Sequence, residues 1–443
     1  MSRHWMLPVK FAACGIVGVL LAWQVVSRSV TAYLASTGSD LAVTFGGSDP
    51  LVLSAIAAQR LETAQRTLAI ATVAAGGQPQ SPPPLPKAIV DEVRSLAERA
   101  LITDPLNPRT LRILGQIASE TGDQKRAKDF MTLAVRQSRT ETIALLWLMQ
   151  DSYDAGDFAS AAMYADVILR TRSGLDPVVI PVLTQITEKP AGRPTVQALL
   201  AANPPWRPTF FRMVSASITD AQTPMQLLLG LKTSPTPAEP SEYAAYLKFL
   251  LDRKLYDYAF YTWLQSLSPA QLDRAGLVHN GHFVDTPSNL PFDWSFSSAA
   301  GVSIERADVA DQFGRRGLRI EFSHGRVEYG GVSQLMLLPP GNYRLTGKFR
   351  GELVGRRGLE WQIFCDFGNY PILGRTPMFL GTARTWTDLE ANFQVPATDC
   401  RAQRLKLVLD ARSASEQLIT GKIWYDEIAI VAKPDETSPK RAN

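Results

Sequence analysis

The period of the apolar residues changes once along this chain, and that change constrains its fold more than any single motif. Up to about Leu272 apolar residues recur at helical spacing, and after Leu277 they alternate. Strand-like runs follow at 317–322, 331–338, 342–349, 359–364, 387–395, 404–409 and 421–431. Pro339-Pro340-Gly341 makes a tight turn between two of them. Alternation at period two is the pattern of strands half-buried in a sheet. A helical part is therefore followed by an all-β part, and 443 residues leave room for roughly two or three domains.

The helical part carries a repeat. Gly122-Asp123 and Gly156-Asp157 are 34 residues apart, as are Ala127 and Ala161, Leu111 and Leu145, and Leu114 and Leu148. Small residues such as Gly115, Ala127 and Ala134 let two helices approach closely, while Leu111, Leu114 and Met131 fill the gap to the next pair. The spacing resembles the tetratricopeptide repeat, a helix–turn–helix unit stacked into a solenoid. The resemblance is good for 86–173. Asp49-Pro50 reads as an N-cap and first turn, so an earlier repeat begins with a helix to about Ala75. The proline-rich stretch 76–86 is an inserted loop. Residues 49–272 are expected to form one helical array. Such arrays bind peptides or proteins on their concave face, and spacing puts Arg112, Gln116, Trp147 and Gln150 there as partner-binding candidates.

The N-terminal residues 1–28 suggest an anchor. Residues 11–26 carry no charge, and extension to 7–27 gives about 20 residues, enough to span a bilayer. Arg3 and Lys10 precede the run, which places the N-terminus in the cytoplasm by the positive-inside rule. Residues 29–48 are then a linker, and the bulk of the chain lies in the periplasm of a Gram-negative cell. A cleaved signal peptide is the rival reading, but no small-x-small site follows the run.

The β part opens on Leu277-Val278-His279-Asn280-Gly281-His282-Phe283 and closes on Trp424-Tyr425-Asp426-Glu427-Ile428. With Trp294 and the hairpin Leu338–Tyr343, these residues resemble the galactose-binding-like jelly rolls, the fold of many carbohydrate-binding modules. The resemblance implies a β-sandwich over 275–434, followed by a disordered tail at 435–443. It also implies a sugar ligand and a structural calcium held partly by Asp426, although Val284 stands where relatives carry an acid. Sugar recognition needs aromatic faces for pyranose C–H groups and polar groups for hydroxyls. Tyr329, Tyr370 and Trp386 are the glycan-binding candidates, with Arg326, Glu328 and Asp366 beside them. Trp361 and Trp424 lie in alternating strands and are expected in the core. Cys365 and Cys400 are expected to pair in an oxidising compartment, for roughly 3 kcal/mol; two buried free thiols are the alternative.

Other chemistry finds little support. There are 46 basic and 42 acidic side chains, and no arginine-rich stripe interleaved with aromatics, so nucleic acid is not implied. Four histidines leave little material for metal or acid–base work. No Walker loop, Gly-x-Gly-x-x-Gly, His-Glu-x-x-His or Gly-x-Ser-x-Gly occurs. The expectation is a non-enzymatic scaffold of the inner membrane that assists polysaccharide synthesis or export, with repeats docking envelope proteins and the sandwich touching glycan. A scaffold binding protein alone and a glycan-modifying enzyme are the alternatives.

Overall fold

A computed structural model describes residues 17–433, apart from 20, 28, 31–32, 34–48, 75–82, 298, 310–315, 324 and 367–370. The anchor expected over 7–27 lies mostly outside these residues. Among the described residues, no helix is long and apolar enough to cross a membrane. Much of the proline-rich loop and all of the tail at 435–443 also lie outside them. The chain falls into two compact units, 1–196 and 197–443.

The first unit is helical: α1 (Pro50–Ala74), α2 (Lys87–Thr103), α3 (Pro108–Glu120), α4 (Gln124–Gln137), α5 (Thr142–Asp154), α6 (Phe158–Thr171) and α7 (Asp176–Glu188). Each helix packs on the next. The Asp49 carboxylate accepts from the Leu51 N–H at 2.9 Å, ahead of a proline at the first helical position. The 34-residue recurrence has a backbone cause. Gly122 (φ 80°) and Gly156 (φ 76°) adopt the left-handed conformation that ends α3 and α5. Asp123 and Asp157 then cap α4 and α6, accepting from the N–H groups of Arg126 and Ser160 at 3.1 Å. Ala127 and Ala161 are fully buried behind the caps. At Gly115 an added Cβ would lie 3.0 Å from Met131 Cγ, so the Met131 side chain of α4 packs directly on that glycine of α3.

The second unit begins within α8 (Arg193–Ala201) and continues with α9 (Arg207–Ser217), α10 (Thr223–Lys232), α11 (Pro240–Asp252), α12 (Tyr256–Ser266) and the short α13 (Pro269–Leu272). The buried Arg207 guanidinium forks onto both oxygens of buried Glu242, at 2.8 and 3.0 Å, joining α9 to α11. Its remaining donors reach the carbonyls of Leu200, Thr236 and Pro237. That full set of partners is what makes a buried charge tolerable.

The sandwich follows: β1 (Ser295–Phe296), β2 (Val302–Asp308), β3 (Arg316–Phe322), β4 (Val332–Met336), β5 (Gly341–Gly355), β6 (Leu359–Cys365), β7 (Ile372–Arg375), β8 (Gly381–Val395), β9 (Gln403–Leu409) and β10 (Ile419–Ala432). Two antiparallel five-stranded sheets have the orders β1-β4-β9-β6-β7 and β2-β3-β10-β5-β8. Their core includes Leu318, Ile320, Leu345, Trp361, Ile363, Leu407, Ile423 and Tyr425. Cys365 and Cys400 form a disulfide, with Cα atoms 5.1 Å apart. The helical part of this unit packs on the segment that leads into the sandwich. Trp263 of α12 packs on Phe292 at 5.7 Å and edge-on to His279 at 5.0 Å, and Phe260 meets Phe292 at 5.3 Å.

The opening segment is a set of turns, not the opening strand that the jelly-roll resemblance implies. Asn280 and Phe283 both have φ 51°, and the Asn280 side chain bonds both backbone groups of Asp285. The segment lies against β10 all the same: Gly281 accepts from the Ile428 N–H at 3.0 Å. A Cβ at position 281 would come within 1.9 Å of the Ile428 oxygen, which leaves glycine alone able to sit there. Phe283 packs on Trp294 with the rings tilted and their centres 5.2 Å apart, and the indole N–H donates to the Asn280 carbonyl at 3.0 Å.

Candidate functional site

The outer face of the sheet β2-β3-β10-β5-β8 carries an open cleft of about 540 Å³. Its walls are Arg350, Gly351, Glu352 and Val354 of β5, Thr382, Ala383 and Arg384 of β8, and Gly421, Lys422 and Trp424 of β10. Strand register explains the set. Trp424 pairs with Arg350 on one side and Arg319 on the other, and Arg319 pairs with Glu305. The next outward row runs Ser303, Glu321, Lys422, Glu352, Thr382. Residues two apart on a strand share a face, so these two rows form one surface.

Two irregularities shape the cleft. In β10 the register shifts between Asp426 and Ala429. In the β5–β8 pair it shifts between Phe349 and Gly351, where Arg350 alone is opposed by Arg384, Thr385 and Trp386. Such bulges bend a strand and re-aim its side chains. Glycines at 351 and 421 let β5 and β10 lie close together, since a Cβ on either would meet the neighbouring strand's backbone at 2.2 or 2.1 Å.

Trp424 is therefore not a core residue. Ile423 and Tyr425 point inward and are buried, which turns the half-exposed Trp424 outward. The Lys422 ammonium lies 5.9 Å from its ring centre, and the indole N–H is shielded from solvent with no acceptor among the described residues. Lys422 also pairs with Glu321 at 3.2 Å, and Arg319 pairs with Glu305. Trp361 is buried, as expected, between Trp294 and Tyr425.

The residues singled out from sequence do not converge on this cleft. Tyr329 is half-buried, its ring edge-on to Phe322 at 5.4 Å and its hydroxyl inside, where burial raises its pKa. It is a packing residue. Arg326 and Glu328 are exposed and pair with each other at 3.2 Å, and Arg326 also donates to Gln417. Asp366 accepts both prongs of Arg404, at 2.8 and 2.9 Å, beside the disulfide. Trp386 lies half-buried in the bulge of β8, close along the strand to Arg384. Tyr370 lies outside the described residues. Asp426 is buried; one of its oxygens accepts from the Glu427 N–H at 2.6 Å and lies 3.4 Å from His282 Nδ1. Among the described residues no group of three or more acidic, histidine or cysteine side chains could hold a metal.

In the first unit, the four partner-binding candidates are partly used in contacts among the helices. Arg112 is buried, paired with Glu141 at 2.8 Å and donating to Gln116 at 2.6 Å; desolvation lowers its pKa. Trp147 is half-buried and donates to Ser119 at 3.1 Å. Gln150 is exposed and donates to Asp154.

No protein-family model matches the chain, and no curated protein does. Solved structures similar to its C-terminal part include a module described as "CBM4 structure and function", at 13% identity and TM-score 0.26, spanning 35% of this chain and 99% of that one. Another is TmCBM61 in complex with β-1,4-galactotriose, at 17% identity and TM-score 0.25, over 36% and 99%. A third is the CBM22-1–GH10 part of Clostridium thermocellum endo-1,4-β-D-xylanase 10B with xylohexaose, at 15% and 0.24, over 32% of this chain and only 26% of that one. Likeness at this level leaves the ligand to be argued from the cleft itself.

Proposed function

We propose that this chain is a non-enzymatic binding protein whose sandwich holds a glycan in the cleft over Trp424. The observation that carries the reading is the outward indole in the wall of an open cleft lined by charged side chains. An indole face takes up the C–H face of a pyranose, and the polar rim bonds its hydroxyls. Ligand sites of this kind combine an apolar platform with a few placed polar groups. The 34-residue helix pairs are, in the same proposal, a tetratricopeptide-like array that docks protein partners. Together the two suit a scaffold beside a polysaccharide synthesis or export machine at the periplasmic face of the inner membrane, held there by residues 7–27. The test is a polysaccharide pull-down and calorimetric titration of the full chain. Trp424→Ala should weaken glycan binding by about tenfold or more, equivalent to about 1.4 kcal/mol, while Tyr329→Phe leaves it unchanged. Binding that survives loss of Trp424 would remove the cleft from consideration.

A further inference from the structure

The charge layout of the cleft goes beyond a generic sugar site. Its polar walls hold Arg350, Glu352, Thr382, Arg384 and Lys422: three cations, one acid and one hydroxyl, with no amide side chain among them. Guanidinium and ammonium groups donate hydrogen bonds and accept none. On the β2–β3 side the cations are matched, Lys422 to Glu321 and Arg319 to Glu305. Among the residues lining the cleft on the β5–β8 side are Arg350, Arg384 and Glu352. Arg384 is exposed and has no ion pair among the described residues; it stands in the three-residue bulge opposite Arg350. The bulge thus sets two guanidinium-bearing residues at one flank of the indole.

We infer that the cleft binds an anionic glycan, with the sugar face on Trp424 and its carboxylate, or an equivalent acidic substituent, toward Arg384 and Arg350. Guanidinium forks suit planar oxyanions, and a charge-assisted bond is about twice as strong as a neutral one. Glu352 sits in the adjacent row, where it accepts from hydroxyls of the same residue and disfavours a second charge there. This inference rests on the glycan reading of the cleft.

The experiment titrates the full chain with polygalacturonate, with neutral galactan and xylohexaose, and with single-stranded DNA. Polygalacturonate should bind at least about tenfold more tightly than the neutral sugars. Its affinity should fall steeply from about 0.1 M to about 1 M NaCl, as the screening length shrinks from about 10 Å to about 3 Å. Arg384→Glu, a change at an exposed position, should weaken polygalacturonate by about tenfold or more. Equal or tighter binding of neutral sugars would overturn the anionic assignment and keep the glycan site. DNA binding as tight as polygalacturonate would overturn it by exposing a general anion groove. No glycan binding at all would overturn both readings.

Discussion

At the scale of single residues, His279 is the buried group with the clearest thermodynamic consequence. It is 4% exposed, and neither ring nitrogen has a hydrogen-bond partner among the described residues. Trp263 lies edge-on to the ring, and the His279 backbone is locked to the Gln334 amide by bonds of 2.8 and 2.9 Å. Burial lowers its pKa below the usual 6.5; Asp293 and Asp285 oppose the shift and Arg274 adds to it. The fold therefore keeps the ring neutral while the unfolded chain is free to take up a proton. Its stabilising effect is fully present above about pH 6.5 and is lost as pH falls toward the lowered folded value. The slope reaches about 1.4 kcal/mol per pH unit. Urea denaturation between about pH 7 and pH 5 should show this loss, and His279→Phe, which keeps an aromatic ring there, should flatten it. A slope unchanged in that variant would assign the pH dependence elsewhere.

At the scale of elements, the disulfide and the bulges decide how the sandwich holds its shape. Cys365 and Cys400 close a loop with a sequence separation of 35 that contains β7 and β8. Constraining that loop in the unfolded chain is worth about 4 kcal/mol in the entropic account. Cys365→Ser/Cys400→Ser should lower stability by roughly 2–4 kcal/mol, and reductant should shift the wild-type urea midpoint but not the variant's. Equal midpoints for both proteins would mean that the loop is already ordered without the bond.

The same elements show what alternation conveys and what it hides. Most of the predicted strands are present with edges displaced by a few residues, while β1, β2 and β7 are additional. β1 is too short to show alternation, and β2 reads Val-Ser-Ile-Glu-Arg-Ala-Asp, with only part of it apolar. Trp424 was obscured by parity. Ile428 and Ile430 face inward, and counting back from them in twos also sends Asp426 and Trp424 inward. The bulge after Asp426 reverses the count, so Ile423 and Tyr425 face inward instead. A run of apolar residues with one inserted residue carries no local mark of where the insertion falls.

At the scale of the whole molecule, the change from helix to strand after Leu272 does not coincide with the division into compact units, which falls at 196/197. Helices α9 to α13 share a unit with the sandwich, and Trp263, Phe260, Phe292 and His279 form one aromatic cluster. Arg401 reaches Asp257 from the sandwich as well, at 2.7 Å, but that pair is exposed and screened. A fragment 275–434 would expose the Phe292 and His279 faces, whereas 197–434 retains Trp263 over them. Losing a packed tryptophan of this kind costs about 3–5 kcal/mol. Thermal melting should place the shorter fragment well below the longer one; equal melting temperatures would make the aromatic cluster dispensable.

The sequence by itself determined what depends on neighbours along the chain. Gly122-Asp123 and Gly156-Asp157 specify a left-handed stop followed by a cap, and alternation specifies strands, because both patterns act within a few residues. Only the tertiary structure decided where Trp424 points, that Tyr329 packs inside, and that Arg350, Arg384 and Lys422 meet over one sheet. Those placements depend on bulge positions and on strand order β2-β3-β10-β5-β8, which brings residues about 70 positions apart into register. Pairing between distant strands is a property of the whole packed sheet, and no local stretch of the chain encodes it.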